Sequence, residues 1–175
     1  MYQDVIIAGD GGQGILLIGN IIAEAALAEG RNVTFLPSYG VEMRGGNANC
    51  TVVISDQEIG SPSINTPQAL IAMSTRARAL FEPKVLPDGL LILNTSLVPE
   101  SEVERKDLRL MAHAFNEIAS EMGNARLANM IALGLYAGKT GVVKPGSLEQ
   151  GMEQALSDRN RKFIPQNMEA VMKGI

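Results

Sequence analysis

Residues 4–14 read DVIIAGDGGQG, the pattern of a short buried strand followed directly by a glycine-rich turn. The apolar run has no polar alternation, as in strands covered on both faces of a parallel sheet. Gly9, Gly11 and Gly14 satisfy the G-x-G-x-x-G spacing, and apolar residues at helical intervals follow to about Glu29. The stretch therefore predicts the strand–turn–helix unit that begins a Rossmann-like fold.

The rest of the chain alternates in the same way between strand and helix patterns. Strands are predicted at 32–36, 48–55, 69–73, 90–93 and 110–114, with a further short strand around Ile59. Helices are predicted at 74–82, 116–122, 127–137, 147–156 and 166–172. We therefore expect an α/β fold, a three-layer Rossmann-like arrangement with a mainly parallel twisted sheet and helices on both faces. No linker interrupts the pattern, so one domain is expected over residues 1–175.

Composition excludes several classes of function. The net charge is −4 and only seven residues are aromatic (three Tyr, four Phe), which argues against a nucleic-acid binder. No apolar run is long enough to span a membrane, and the amino terminus lacks a basic secretory signal, so a cytoplasmic location is expected. The single cysteine, Cys50, cannot form an internal disulfide or alone supply a metal or iron–sulfur site.

The glycine turn suits a phosphate, because a helix amino terminus offers free N–H groups, but packing alone would also explain the glycines. A dinucleotide site expects a carboxylate after the second strand, where residues 36–38 read LPS. No lysine follows Gly14, which argues against a P-loop. The GDG triplet also occurs in thiamine diphosphate sites, but for the asparagine of that motif Asn32 comes too early and Asn47 too late. The turn thus carries no cofactor signature of its own.

A second polar stretch, PSYGVEMRGG at residues 37–46, follows the second strand. The carboxyl ends of parallel strands share one sheet edge, so we expect this loop beside the glycine turn. Arg44 could form bidentate hydrogen bonds with a phosphate or carboxylate, and Glu42 could orient its guanidinium group. A solvated turn with a weak surface ion pair is the alternative. The candidate residues of the loop are Ser38, Tyr39, Glu42, Arg44, Gly45 and Gly46.

These two stretches together resemble the gamma subunit of 2-oxoacid:ferredoxin oxidoreductases. That family has a G-x-G-G-Q-G turn, followed after the second strand by P-S-Y-G-x-E-x-R-G-G. Further matches continue in order along most of the chain, with SP at 61–62, LIAM at 70–73 and NMIALG at 129–134. Val41 stands where the family commonly has proline, which leaves the charged and glycine positions intact.

The resemblance implies a subunit that is inactive alone. The family converts a 2-oxoacid, coenzyme A and oxidised ferredoxin into an acyl-CoA, carbon dioxide and reduced ferredoxin. It implies alpha, beta and ferredoxin-like delta partner subunits, which hold thiamine diphosphate, magnesium and iron–sulfur clusters, and ferredoxin contacts the complex. No catalytic residue is then expected on this chain, and some self-association is expected when it is expressed alone. We favour 2-oxoglutarate as substrate, followed by branched-chain 2-oxoacids and pyruvate. The alternatives are a free-standing nucleotide-binding enzyme or the small subunit of the related indolepyruvate oxidoreductase.

The resemblance also implies a role near coenzyme A and the subunit interface for a defined set of residues. Asn129, at the start of a predicted helix, is expected either to cap that helix or to hydrogen-bond across the crevice. Arg76 and Arg78 are expected on a solvated helix face, with the phosphates of coenzyme A as the alternative role. The implied set is Gly9, Gly11, Gly12, Gln13, Gly14, Ser38, Tyr39, Glu42, Arg44, Gly45, Gly46 and Asn129.

Overall fold

The computed structural model describes residues 1–39 and 46–175. Its centre is a six-stranded sheet with the strand order β2-β3-β1-β4-β5-β6. The strands are β1 (Tyr2–Asp10), β2 (Asn32–Tyr39), β3 (Asn47–Ser55), β4 (Ala69–Ala72), β5 (Leu90–Asn94) and β6 (Arg109–His113). The helices are α1 (Ile15–Ala28), α2 (Thr75–Phe81), α3 (Phe115–Glu121), α4 (Ala128–Thr140), α5 (Pro145–Ala155), α6 (Asp158–Arg161) and α7 (Ile164–Gly174).

The sheet is parallel from β1 through β4 and β5 to β6, whereas β3 runs antiparallel to both β1 and β2. The chain between β2 and β3 is too short for a crossover, which takes a dozen or more residues, so the two strands pair antiparallel. β3 consequently lies between β2 and β1 in the sheet. The expectation of an α/β fold with a mainly parallel sheet is confirmed.

Helices cover both faces of the sheet because successive strand residues point to opposite sides. On one face, α1, α4, α5 and α7 pack against the side chains that alternate through Val5 and Ile7. On the other face, α2 packs against the intervening side chains, among them Ile6 and Ala8. Each strand near the middle of the sheet is therefore buried on both sides, as the unbroken apolar runs predicted.

Glycines let helices approach the backbone of their neighbours. Gly19 of α1 faces Phe35 and Cys50, and an added Cβ would lie 2.9 Å from the Phe35 ring. A Cβ on Gly134 of α4 would collide with the carbonyl oxygen of Val171 in α7. Gly19 thus lets α1 pack closely on the sheet. This close packing explains why a glycine lies inside the helix.

Three local predictions differ from the structure. The short strand around Ile59 is wrong, since residues 56–68 contain no strand; Pro62 and Pro67 there lack the N–H group that a ladder needs. β2 extends beyond the predicted end, through Pro37 to Tyr39. A proline is tolerated there because β2 is an edge strand, and one side of an edge strand forms no hydrogen bonds with another strand. The short helix α6 was not predicted. In the described part of the chain, no helix has the length and apolar character that crossing a bilayer requires.

Candidate functional site

The candidate site is a crevice at the carboxyl ends of β1 and β4. From β1 the chain passes through α1 toward one side of the sheet, and from β4 it passes through α2 toward the other. The connections therefore diverge between these two parallel neighbours. Open α/β sheets bind their ligands at such a switch point.

Gln13 ties the glycine turn to both strands that border the crevice. Its Oε1 atom accepts a hydrogen bond from the backbone N–H of Asp10 at 2.7 Å, and its Nε2 atom donates to the carbonyl oxygen of Met73 at 3.1 Å. A Cβ on Gly9 would collide with this side chain and would come within 2.9 Å of Met73. Gln13 thus fixes the geometry of the turn from within.

The amino terminus of α1 opens into this crevice without a side-chain cap. Gly14 is the N-cap residue, with φ at 72°, and the first turn of the helix carries no acidic residue. Gly12 has φ at 93°, and a Cβ added there would meet open space. The first N–H groups of a helix have no intrahelical partner and carry partial positive charge. The turn is therefore suited to receive an anion.

Asn129 reaches the glycine turn from the start of α4. Its Nδ2 atom donates to the carbonyl oxygen of Gly14 at 3.3 Å, while the N-cap of α4 is Leu127. Asn129 was expected either to cap α4 or to hydrogen-bond across the crevice, and the structure shows the hydrogen bond across the crevice. The side chain is 6% exposed, and its Oδ1 atom has no partner within the described residues. A cleft of about 390 Å³ lies here, lined by Gly12, Gln13, Gly14, Leu17, Met73, Asn116, Ala125, Arg126, Ala128 and Asn129.

The end of the second polar stretch returns to the glycine turn, because the backbone N–H of Gly11 donates to the carbonyl oxygen of Gly46 at 3.0 Å. Ser38 lies elsewhere, in a separate cleft of about 380 Å³ on the α2 side of the sheet, which Asn49 and Lys84 also line. The inserted strand β3 causes this separation from the glycine turn. The backbone of Tyr39 ends β2. Three predicted site residues, Glu42, Arg44 and Gly45, lie outside the described residues.

The two arginines of α2 have different environments. Arg78 is 8% exposed; its guanidinium donates to Glu82 at 3.1 Å and to Glu102 at 3.4 Å, so the expected solvated position is wrong for this residue. Glu82 also accepts from the backbone N–H groups of Glu104 and Arg105, both at 2.7 Å. This ion pair fixes the segment before β6 to α2.

Arg76 is exposed, in agreement with the expected solvated face, and it borders the crevice. It lines a cleft of about 380 Å³ with Asp10, Ser74, Thr75 and Leu97. Arg126 is also exposed and borders the glycine-turn cleft near Asn129. Sequence reasoning did not select Arg126; its place three residues before Asn129, at a helix start, was the available signal.

Among the described residues, the titratable side chains that line the crevice are Asp10, Arg76 and Arg126. Within residues 1–39 and 46–175, no group of three or more His, Cys, Asp or Glu side chains could hold a metal ion. Cys50 lies in β3 beneath α1, and burial raises the pKa of its thiol to about 12. The amino terminus of α1, with Arg76 and Arg126 nearby, can bind and position an anion.

Comparison with known proteins gives a consistent family. The family model described as pyruvate ferredoxin/flavodoxin oxidoreductase matches residues 4–175. The ketoisovalerate oxidoreductase subunit VorA of Methanothermobacter marburgensis is 40% identical over 131 residues, which are 75% of this chain and 27% of that protein. The 2-oxoglutarate synthase subunit KorC of the same organism is 32% identical over 184 residues and is covered to 99%, as is this chain.

A solved structure has the same fold. It is the 2-oxoglutarate:ferredoxin oxidoreductase from Magnetococcus marinus with 2-oxoglutarate, coenzyme A and succinyl-CoA bound. The TM-score is 0.87 at 23% identity, over 99% of this chain and 30% of that chain. The chain thus corresponds to a part of some relatives and to the full length of others, and it belongs to the pyruvate ferredoxin/flavodoxin oxidoreductase family.

Proposed function

We propose that this chain is the gamma subunit of a cytoplasmic 2-oxoacid:ferredoxin oxidoreductase, where it forms part of the coenzyme A region and of the subunit interface. In this role it is inactive alone and assembles with alpha, beta and ferredoxin-like delta subunits. Thiamine diphosphate, magnesium and the iron–sulfur clusters belong to those partners, and ferredoxin receives the electrons from the complex.

The observation that carries this proposal is the crevice between β1 and β4. It combines an uncapped helix amino terminus with exposed arginines on two sides, Arg76 and Arg126. Coenzyme A bears several phosphates, which such a positively polarised crevice attracts. The related fold in the Magnetococcus marinus enzyme belongs to a protein solved with coenzyme A and succinyl-CoA bound, which supports the same ligand class.

We favour 2-oxoglutarate as the substrate because several similar relatives are KorC subunits of 2-oxoglutarate synthases, from Methanothermobacter, Methanocaldococcus and Archaeoglobus species. The VorA subunits of ketoisovalerate oxidoreductases are the competing relatives. The higher identity to VorA, 40% against 32%, keeps branched-chain 2-oxoacids as the second choice. The co-expressed complex, assayed with 2-oxoglutarate, 2-oxoisovalerate, pyruvate and indolepyruvate, should reduce ferredoxin fastest with the first.

The role in the coenzyme A region is tested by Arg44→Ala in the co-expressed complex. We expect the KM for coenzyme A to rise about tenfold, or the complex to dissociate, because a charge-assisted hydrogen bond contributes about 1.5–3 kcal/mol. The KM for the 2-oxoacid should stay unchanged. The matched control is Arg159→Ala, which removes an exposed arginine from α6.

Unchanged kinetics and unchanged assembly in Arg44→Ala would contradict the proposed role. Tight nucleotide binding by the chain alone, with no partner subunits encoded beside it, would instead favour a free-standing nucleotide-binding enzyme. Size-exclusion chromatography of the co-expressed subunits separates an assembly defect from a binding defect.

A further inference from the structure

The cleft that contains Ser38 lies on the α2 side of the sheet, over β2 and β3. Thr51 of β3 lies opposite Leu36 of β2 and opposite Ile6 of β1. Directly paired residues of antiparallel strands project from the same face, and Ile6 belongs to the core cluster on the α2 side. α2 itself packs mainly on β1 and β4. Among the described residues, this face of β2 and β3 therefore has no helix of its own.

The cleft over this face is polar. It has a volume of about 380 Å³, and we call it the Ser38 cleft after one of its five polar lining residues, Ser38, Asn49, Thr51, Asn65 and Lys84. The side chains of Asn49, Thr51 and Asn65 make no hydrogen bond to another described residue, and no carboxylate belongs to the described lining. Hydroxyl, carboxamide and ammonium groups all donate hydrogen bonds. The Ser38 cleft thus offers several donors and one positive charge, a combination that suits a carboxylate.

Lys84 carries the one charge of the described lining. Its Nζ atom lies over the Phe81 ring, 5.1 Å from the ring centroid, which holds the ammonium group beside the cleft. It forms no ion pair with a described residue, because the carboxylate of nearby Glu82 pairs with Arg78 instead. The charge of Lys84 is therefore available to a carboxylate from outside these residues.

Large apolar side chains are exposed at the cleft and close to Lys84 in sequence. Leu36, which lines the cleft, is 43% exposed. Leu80 and Leu86 lie within four residues of Lys84 and are 44% and 38% exposed. Exposed apolar side chains that lie together mark protein interaction sites more often than solvated surface. The surroundings of the cleft therefore favour a protein segment over a small molecule.

We propose that the Ser38 cleft receives a loop of a partner subunit, with an Asp or Glu side chain of that loop paired with Lys84. The carboxylate also accepts hydrogen bonds from Ser38 and Thr51, and apolar atoms of the loop pack on Leu36. Some relatives contain this fold within a much longer chain, so a partner subunit rather than a second copy is the expected neighbour. The proposal deepens the proposed function, on which it rests for the existence of partner subunits.

Zero-length cross-linking of the co-expressed complex tests the occupant directly. A carbodiimide joins an amine to a carboxylate that it contacts, and mass spectrometry of the digest should find Lys84 joined to an Asp or Glu of a partner subunit. Lys173, exposed on α7 at the other face of the sheet, is the control and should not join to the same residue. Lys84 joined only to carboxylates of this chain, in the same or a second copy, or to none, would overturn the proposal.

The contribution of the charge is tested with Lys84→Met against Lys173→Met, which each remove one exposed positive charge. Dissociation of the complex is followed by mass photometry over a dilution series. Lys84→Met should raise the Kd of the complex about tenfold or more, because it leaves a partner carboxylate unpaired in the interface. Lys173→Met should leave the Kd unchanged. Equal Kd values for the two variants would contradict the pairing with Lys84.

The position of the contact is tested with Leu36→Glu against Leu27→Glu, because the two leucines are similarly exposed, at 43% and 51%. Leu36→Glu should prevent assembly, since it places a like charge beside the incoming carboxylate. Leu27→Glu, at the end of α1, should assemble normally. Thermal unfolding of each isolated chain shows whether it remains folded. Normal assembly of a folded Leu36→Glu chain would exclude the cleft from the interface.

Failure of this inference is distinguishable from failure of the proposed function. If the unchanged chain forms no complex with co-expressed partner subunits, the proposed function is contradicted and this inference with it. If a stable, active complex forms and Lys84→Met and Leu36→Glu assemble normally, this inference alone is contradicted.

Discussion

Gly14 is the residue at which the requirements of the turn and of the crevice coincide. Its φ of 72° lies in the left-handed region, and a Cβ there would collide with the Nδ2 atom of Asn129. Gly12 has a φ of 93°, but its missing Cβ faces open space. Substitutions at these two glycines therefore distinguish the effect of backbone strain from the effect of losing the Asn129 contact.

We expect Gly14→Ala to lower the free energy of unfolding by about 2–4 kcal/mol, from left-handed strain and the displaced hydrogen bond of Asn129. Gly12→Ala, the matched control, should cost about 1 kcal/mol, from strain alone. Urea denaturation followed by circular dichroism measures both. Equal losses would show that the Asn129 contact contributes nothing to stability.

Single residues were predictable from the sequence where a backbone rule applies and less so where tertiary contacts decide. The glycine spacing identified the turn because Gly14 has a positive φ, which few other residues tolerate, and because Gly9 leaves no room for a Cβ. Glu82 lies four residues after Arg78, a spacing that indicates their ion pair, but the sequence does not show that this pair is buried. The segment that covers this pair, around Glu104, lies more than twenty residues away, so no local pattern reveals it.

At the scale of elements, α4 and α7 meet backbone to backbone through two glycines. A Cβ on Gly134 of α4 would collide with the Val171 carbonyl of α7, and a Cβ on Gly174 of α7 would collide with the Ile131 carbonyl of α4. The contact is thus reciprocal. It holds α7 against the helix that carries Asn129, beside a cleft that both helices line.

Gly134→Ala should therefore destabilise the protein by about 1–3 kcal/mol, the usual cost of overpacking a close contact. The control is Gly146→Ala in the first turn of α5, where the added Cβ meets open space and helix propensity favours alanine by up to about 1 kcal/mol. Thermal unfolding of both variants measures the difference. A Gly134→Ala protein as stable as the Gly146→Ala protein would contradict the packing described.

The alternation of strands and helices was predictable, because each element buries its own apolar face with its own period. The order of the strands was not. The antiparallel position of β3 depends on the short connection after Tyr39, whose polar, glycine-rich residues resembled a ligand loop. The failed strand near Ile59 shows the same limit, since a short apolar pattern forms a strand only where a neighbouring ladder is available.

For the whole molecule, Cys50 is a natural reporter of global unfolding. It is fully buried between α1 and the sheet, and burial raises the pKa of its thiol to about 12 from an ordinary value near 9. Because the thiolate is the reactive form, the folded protein should resist thiol reagents at pH 8. The sulfur belongs to the larger core, so we expect it to become exposed when that core opens.

We therefore expect labelling of Cys50 at pH 8 to be complete in urea and, in buffer, no faster than global unfolding allows. Ser63→Cys supplies an exposed thiol in the same chain that should react at once. A raised folded-state pKa stabilises the fold below the ordinary value, and this contribution is lost as the pH rises toward 12. Rapid labelling of Cys50 in the native protein would contradict the buried position.

The central place of β1 has a consequence for how the molecule forms. β1 pairs with β3 and β4, and the hydrogen bond from Gln13 to Met73 spans 60 residues of sequence. Distant pairings are slow, because loop closure precedes any gain in contacts. During synthesis β1 would emerge before either partner strand and wait without these neighbours, a state prone to aggregation. The glycine turn would thus be synthesised well before Met73, the residue that fixes its geometry through Gln13.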